Sequence, residues 1–230
     1  MKSLPVLLFL LIVFCNSCTN GEDKIVKYID ADALYFDYQI WGDNEKEIVT
    51  VMLQFRRDNA EGRVQRLEPP AKVELDGRQL TADSAKMTGA YYEFATAVDS
   101  FAGKHVIRFT GKTGKSFQDT IIFRPFAMAD PVGDTIHRKD TLLHFTGLED
   151  GEIIRIIALD TVFRSNGIND LDTVHDQTLF ISRQQLRNLA NGPFRLEFYK
   201  ESEKPVKNGT SAGGFILVTY AVKKNFVLAN

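Results

Sequence analysis

The chain has 230 residues, 44% of them hydrophobic and 25% charged, which suits one large or two small globular domains and argues against long disorder. Its formal net charge is −2 and no basic block stands out, which excludes the electrostatic footprint of a nucleic-acid-binding protein. Both cysteines, Cys15 and Cys18, lie near the start, so the body of the chain carries no disulfide, thiolate metal site or cysteine nucleophile.

The first segment reads as an export signal. Lys2 precedes an apolar run from Leu4 to Phe14, followed by Ser17 and Cys18. That run is about eleven residues, against the roughly twenty needed to span a bilayer. A charged start, an apolar middle and a small-residue end form the pattern of a signal peptide. Within it, Cys15-Asn16-Ser17-Cys18 resembles a bacterial lipobox, an aliphatic residue and two small ones before the cysteine that receives lipid. Ser17 and Cys18 fit; Cys15 and Asn16 stand where leucine and a small residue are commoner. The resemblance implies a lipoprotein signal peptide over residues 1–17 and acyl chains, palmitate among them, on Cys18. Each acyl methylene buried in a bilayer contributes about 0.8 kcal/mol, so several chains on one cysteine hold a folded domain without a spanning helix. By the same resemblance the protein sits in a bacterial cell envelope, the outer membrane favoured, with its domains periplasmic or surface-exposed. Thr19-Asn20-Gly21-Glu22-Asp23-Lys24 is polar and without apolar periodicity, and residues 18–30 read as a tether.

Residues 31–126 show the alternation of half-buried strands. Leu34, Phe36, Tyr38 and Ile40 share one face, and Val49, Val51, Leu53 and Phe55 repeat the pattern after Gly42-Asp43-Asn44-Glu45. A charged loop from Arg56 to Arg66 ends at Pro69-Pro70. Asp76-Gly77 is the dipeptide favoured in two-residue hairpins, where both central positions need positive φ. Tyr91 to Thr96, His105 to Phe109 and Phe117 to Phe123 supply further strands, and the spacing of turns predicts a β-sandwich.

Strand signals lapse over residues 127–141, which read as a linker to a second sandwich over 142–230. There Glu152 to Leu159 predicts a strand, Asn166 to Asp176 an Asx-rich loop, and Thr178 to Ile181 a short strand. Ser182-Arg183-Gln184-Gln185 is a capping box that predicts one short helix, ended by Gly192-Pro193. Phe194, Leu196 and Phe198 alternate with Arg195 and Glu197. Gly103-Lys104-His105-Val106-Ile107-Arg108-Phe109 and Gly192-Pro193-Phe194-Arg195-Leu196-Glu197-Phe198 echo one another, a short internal match that favours two similar halves. The expected fold is all-β. It resembles two immunoglobulin-like β-sandwich domains in tandem with one short helix in the second, without the Cys, Trp and Cys spacing of antibody domains.

Catalytic motifs are wanting. Gly111-Lys112-Thr113-Gly114-Lys115-Ser116 contains Gly-Lys pairs, but Val106 and Phe109 stand where a phosphate-binding loop needs glycine, so the segment reads as a hairpin turn and no nucleotide is expected. His105, His137, His144 and His175 lack helical zinc spacing, and His105 lies on an apolar strand face. Gly209-Thr210-Ser211-Ala212-Gly213 has the Gly-x-Ser-x-Gly spacing, but it lies in a polar loop that leads into the strand signal of Phe215 to Tyr220 and not into a helix, so it does not read as a nucleophile elbow. Asp170, Asp172 and Asp176 are candidate calcium ligands, although their spacing departs from the hand-like loop and a solvated loop is the plainer reading. Trp41, Tyr91 and Tyr92 are a candidate sugar-stacking platform, with packing as the plainer fate. No cofactor and no enzymatic activity are expected. The expected role is protein–protein interaction or scaffolding with an envelope partner. The alternatives are a glycan-binding accessory lipoprotein of a polysaccharide-uptake system and a hydrolase with dispersed carboxylates.

Overall fold

The computed structural model describes residues 33–129, 133–162 and 165–230. The export signal, Cys18 and the tether lie outside them. The first half contains β1 (Leu34–Asp43), β2 (Ile48–Arg57), β3 (Lys72–Leu75), β4 (Arg78–Gln79), β5 (Ala82–Ala85), β6 (Gly89–Ala97), the one-turn helix α1 (Val98–Phe101), β7 (Gly103–Thr110) and β8 (Ser116–Phe123). The second contains β9 (Ala127–Met128), β10 (Thr135–His137), β11 (Thr141–Thr146), β12 (Ile153–Asp160), β13 (Ile168–Thr173), β14 (Thr178–Ile181), α2 (Arg183–Leu186), β15 (Gly192–Pro205) and β16 (Gly214–Ala229). The chain is all-β, with two short helices among the described residues.

Local chemistry sets these elements. Asp76 and Gly77 adopt φ of 50° and 80° and join Leu75 to Arg78 in a two-residue turn. Residues 111–115 close the β7–β8 hairpin, with the Gly111 N–H donating to the Lys115 carbonyl at 2.8 Å. Ser182 caps α2: its hydroxyl accepts from the Gln185 N–H at 3.2 Å, and Gln185 Oε1 accepts from the Ser182 N–H at 2.8 Å. His105 stacks on Phe101 with ring centroids 3.8 Å apart, its Nδ1 2.6 Å from Asp76 Oδ2 and its Nε2 2.8 Å from the Phe101 carbonyl, so it is packed between two elements.

Three sheets form. A nine-stranded sheet runs β13-β12-β15-β16-β1-β2-β6-β5, with β10 also on β16; β4-β3-β7-β8 and β14-β11-β9 are the smaller two. Alternation decides which face each side chain meets. Phe36, Tyr38, Val51, Leu53 and Phe55 point to one face of the long sheet, and Phe109 of the four-stranded sheet lies 5.1 Å from both Phe36 and Phe55. In the other half Phe198 occupies the same face, 5.0 Å from Phe145 of the three-stranded sheet. Both small sheets therefore cover one face of the long sheet, and the buried residues form one cluster.

The halves meet through β16. Its first part, Gly214 to Ala221, lies parallel to β1, while Phe215 to Leu228 lie antiparallel to β15. Two stretches differ from the local reading. Residues 127–141 carry β9, which pairs with β11, and β10, which pairs with β16; partners distant in sequence supply the hydrogen bonds that the local pattern did not advertise. Most of the segment from Asn166 to Asp176 is strand β13, held by its register with β12 despite its Asx content.

Candidate functional site: the uncovered face of the long sheet

The face opposite both small sheets carries no covering layer among the described residues. Cross-strand register fixes what it displays. Trp41 on β1 sits between Thr219 of β16 and Thr50 of β2; Gln39 sits between Leu217 and Met52; Asp37 sits between Phe215 and Gln54. Threonines on both sides leave the indole open, and Trp41 is 40% exposed. Tyr35 and Phe215 close the stripe with rings 6.3 Å apart. Farther along the same face, Ile153 and Leu159 of β12 and Leu171 of β13 are exposed.

Two polar networks flank this stripe. Arg56 donates through Nε and Nη2 to Asp37 Oδ2 at 2.9 and 2.8 Å, and Gln39 donates to Asp37 Oδ1 at 3.0 Å. On the other side Arg195 bridges Glu45 and Glu197 at 2.7 and 2.6 Å, the Tyr199 hydroxyl donates to Glu197, and Lys223 lies 3.3 Å from Asp43. Burial pushes the Glu197 carboxyl up, but hydrogen bonds from Tyr199 and Arg195 outweigh it and hold the group below its ordinary range. Burial and the Glu197 carboxylate push the Tyr199 phenol up to about 12. Asp43 follows the logic of Glu197: the Lys46 N–H and the Lys223 ammonium overcome its desolvation and lower it.

The structure separates the three aromatic candidates. Trp41 and Tyr91 share the uncovered face, because Trp41 lies in register with Thr50, Thr50 with Ala95, and Tyr91 is four residues along β6 from Ala95. That offset is roughly 13 Å along the strands and about 10 Å across them. Tyr92 points the other way, 4% exposed, with its hydroxyl accepting from the Leu67 N–H at 2.8 Å. The three do not form one platform.

The aspartates proposed for calcium do not converge either. Asp170 accepts from Gln185 Nε2 at 2.7 Å and Asp172 from the Phe180 N–H at 2.7 Å, while Asp176 occupies a turn at φ 48° with its N–H donated to Asp150. Among the described residues no group of three or more His, Asp or Glu side chains is placed to hold a metal ion. Local reading missed Tyr35, Met52, Phe215 and Leu217 as neighbours of Trp41; their parity, opposite to the core positions of the same strands, was the available signal.

No protein-family model matches the sequence, and no curated protein does. Among solved structures the chain is similar to DIP-gamma IG1+IG2, at 8% identity over 85% of this chain and 95% of that one, with a TM-score of 0.25. It is also similar to a 1.5-MDa bacterial ice-binding adhesin, at 10% identity, 86% and 65% coverage and a TM-score of 0.26. A third is SGBP-B of the Bacteroides ovatus mixed-linkage glucan utilization locus, in complex with a mixed-linkage heptasaccharide, at 8% identity, 79% and 53% coverage and a TM-score of 0.26. At these scores the functional argument rests on the side chains alone. Among the described residues no helix is long and apolar enough to cross a membrane.

Proposed function

We propose that this chain is a non-enzymatic cell-envelope protein, anchored by acyl chains on Cys18, that docks an envelope protein through the uncovered face of its long sheet. The observation that carries the reading is the stripe of exposed Trp41 and half-buried Met52, Leu217, Phe215 and Tyr35 on the uncovered face of the sheet, rimmed by charged networks. An aromatic and aliphatic centre with a polar rim is the composition of a protein interface. A binding role also agrees with the carboxyl groups. Asp43, Asp160 and Glu197 are all held below their ordinary range, the direction opposite to what a general acid needs.

Two experiments test this reading. Cys18→Ser is expected to leave the β-domains folded and to release the protein from membranes; continued membrane fractionation with the signal removed would overturn the anchor. Leu217→Lys is expected to abolish capture of the partner recovered with the native, membrane-anchored protein, and undiminished capture would overturn the docking face.

A second reading, glycan binding, draws on Trp41 alone, whose open indole suits the apolar face of a sugar ring. Binding to a broad polysaccharide panel that disappears in Trp41→Ala would favour it; no binding at all would remove it.

A further inference from the structure

On the covered side of the long sheet, β15 changes character partway along. Phe194, Leu196 and Phe198 face the core, and the next three positions of the same parity are Lys200, Ser202 and Lys204. They overhang the end of β8 and line a cleft of about 290 Å³ with Ile122, Arg124, Glu152 and Val218. That volume is at the small end of ligand-sized pockets.

The charges in the cleft are unequal, three cations against one acid. Lys204 donates to the Thr120 carbonyl at 2.9 Å, and half-exposed Arg124 holds Glu149 at its outer edge at 2.5 Å. Lys200 is different. Its Nζ, sealed from solvent, lies 2.6 Å from Glu152 Oε1, which pairs its charge, and no second acceptor takes its remaining N–H groups. A buried ammonium with idle donors is costly to maintain unless an acceptor completes it.

We infer that this cleft binds a small oxyanion, a carboxylate or phosphate carried on a compact body, with Lys200 as its principal donor and Arg124 and Ser202 beside it. Glu152 is the occupant that the ligand displaces. Exchange of one anionic partner for another keeps the buried lysine paired throughout, whereas simple removal of Glu152 would strand it. Ile122 and Val218 offer apolar contact to the body of the ligand. The motif is readable in the sequence as Lys-x-Ser-x-Lys continuing the parity of Phe-x-Leu-x-Phe.

Glucuronate, glucose 6-phosphate and neutral glucose distinguish the sources of the anion on a common body. Titration of the folded protein, followed by amide shifts, is expected to show saturable binding of at least one acid, centred on residues 200–204 and 122–124, and none of glucose. Lys200→Met is expected to weaken that binding about tenfold, the loss of one charge-assisted hydrogen bond, and Glu152→Gln to strengthen it. Should Lys200→Met fail to fold, Arg124→Gln carries the test with an expected loss of several fold. The inference is overturned if neither acid binds, if glucose binds equally well, if the shifts lie elsewhere, if the lysine or arginine variant binds like the native protein, or if Glu152→Gln binds no more tightly.

Discussion

Trp41 is exposed because alternation along β1 places it opposite Phe36, Tyr38 and Ile40 in facing, and because its cross-strand neighbours are threonines. An indole held open on a rigid strand adds little to folding, so Trp41→Ala is expected to change stability by less than about 1 kcal/mol in urea unfolding while lowering affinity for the docked partner. The carboxylates give a pH signature. Asp43, Asp160 and Glu197 bind fewer protons when folded than in the unfolded chain, whose values are about 3.8 for Asp and 4.5 for Glu. Their stabilisation is complete above those values and is lost as the pH falls through the lower folded ones. Melting temperature should therefore hold between about pH 7 and pH 5 and drop toward pH 3, and a Glu197→Gln variant should drop less. At this scale the exposure of Trp41 was legible from parity. So was the separation of Tyr91 from Tyr92, since adjacent residues of a strand face opposite sides; the bond from Leu67 to the Tyr92 hydroxyl, formed across 25 residues, was not.

Edges explain several polar residues that look functional in isolation. β13 ends the long sheet, and its inward-facing Asp170 and Asp172 are a charged obstacle to the addition of another strand. β8 ends the four-stranded sheet, and the β15–β16 hairpin covers it: the Lys207 N–H donates to Asp119 at 3.0 Å and Asn208 Nδ2 to the Gln118 carbonyl at 3.0 Å. The Asp-Gly turn and the capping box were legible because each is written within four residues. β13 was not, since its strand character comes from the register with β12. Ser182→Ala is expected to cost about 1 kcal/mol in thermal or urea unfolding, the usual loss of an N-cap, and Ser182→Asp to restore most of it.

Across the whole described body, β16 binds the two halves by pairing with β1 as well as with β15. A sequence read locally cannot reveal a parallel pairing between strands separated by most of the chain, although the all-β class, the alternation and the turns were all present in it. Gly214 begins that seam: a Cβ there would stand 2.5 Å from the Phe36 carbonyl oxygen and 2.7 Å from Phe36 Cβ. Gly214→Ala is expected to destabilise the protein by about 1–3 kcal/mol and to lower the unfolding midpoint reported from both halves together. Separate midpoints, with only the first half shifted, would show that the seam does not couple them. The docking face crosses the same seam, with Trp41 on one strand and Leu217 and Thr219 on the other. A photo-crosslinking residue placed in cells at Leu217 or Thr219 tests it directly against the same residue at Lys112 or His144, on the opposite side of the molecule. The account predicts one common adduct from the first pair and none from the second; adducts arising equally from both pairs, or from the second alone, would contradict it.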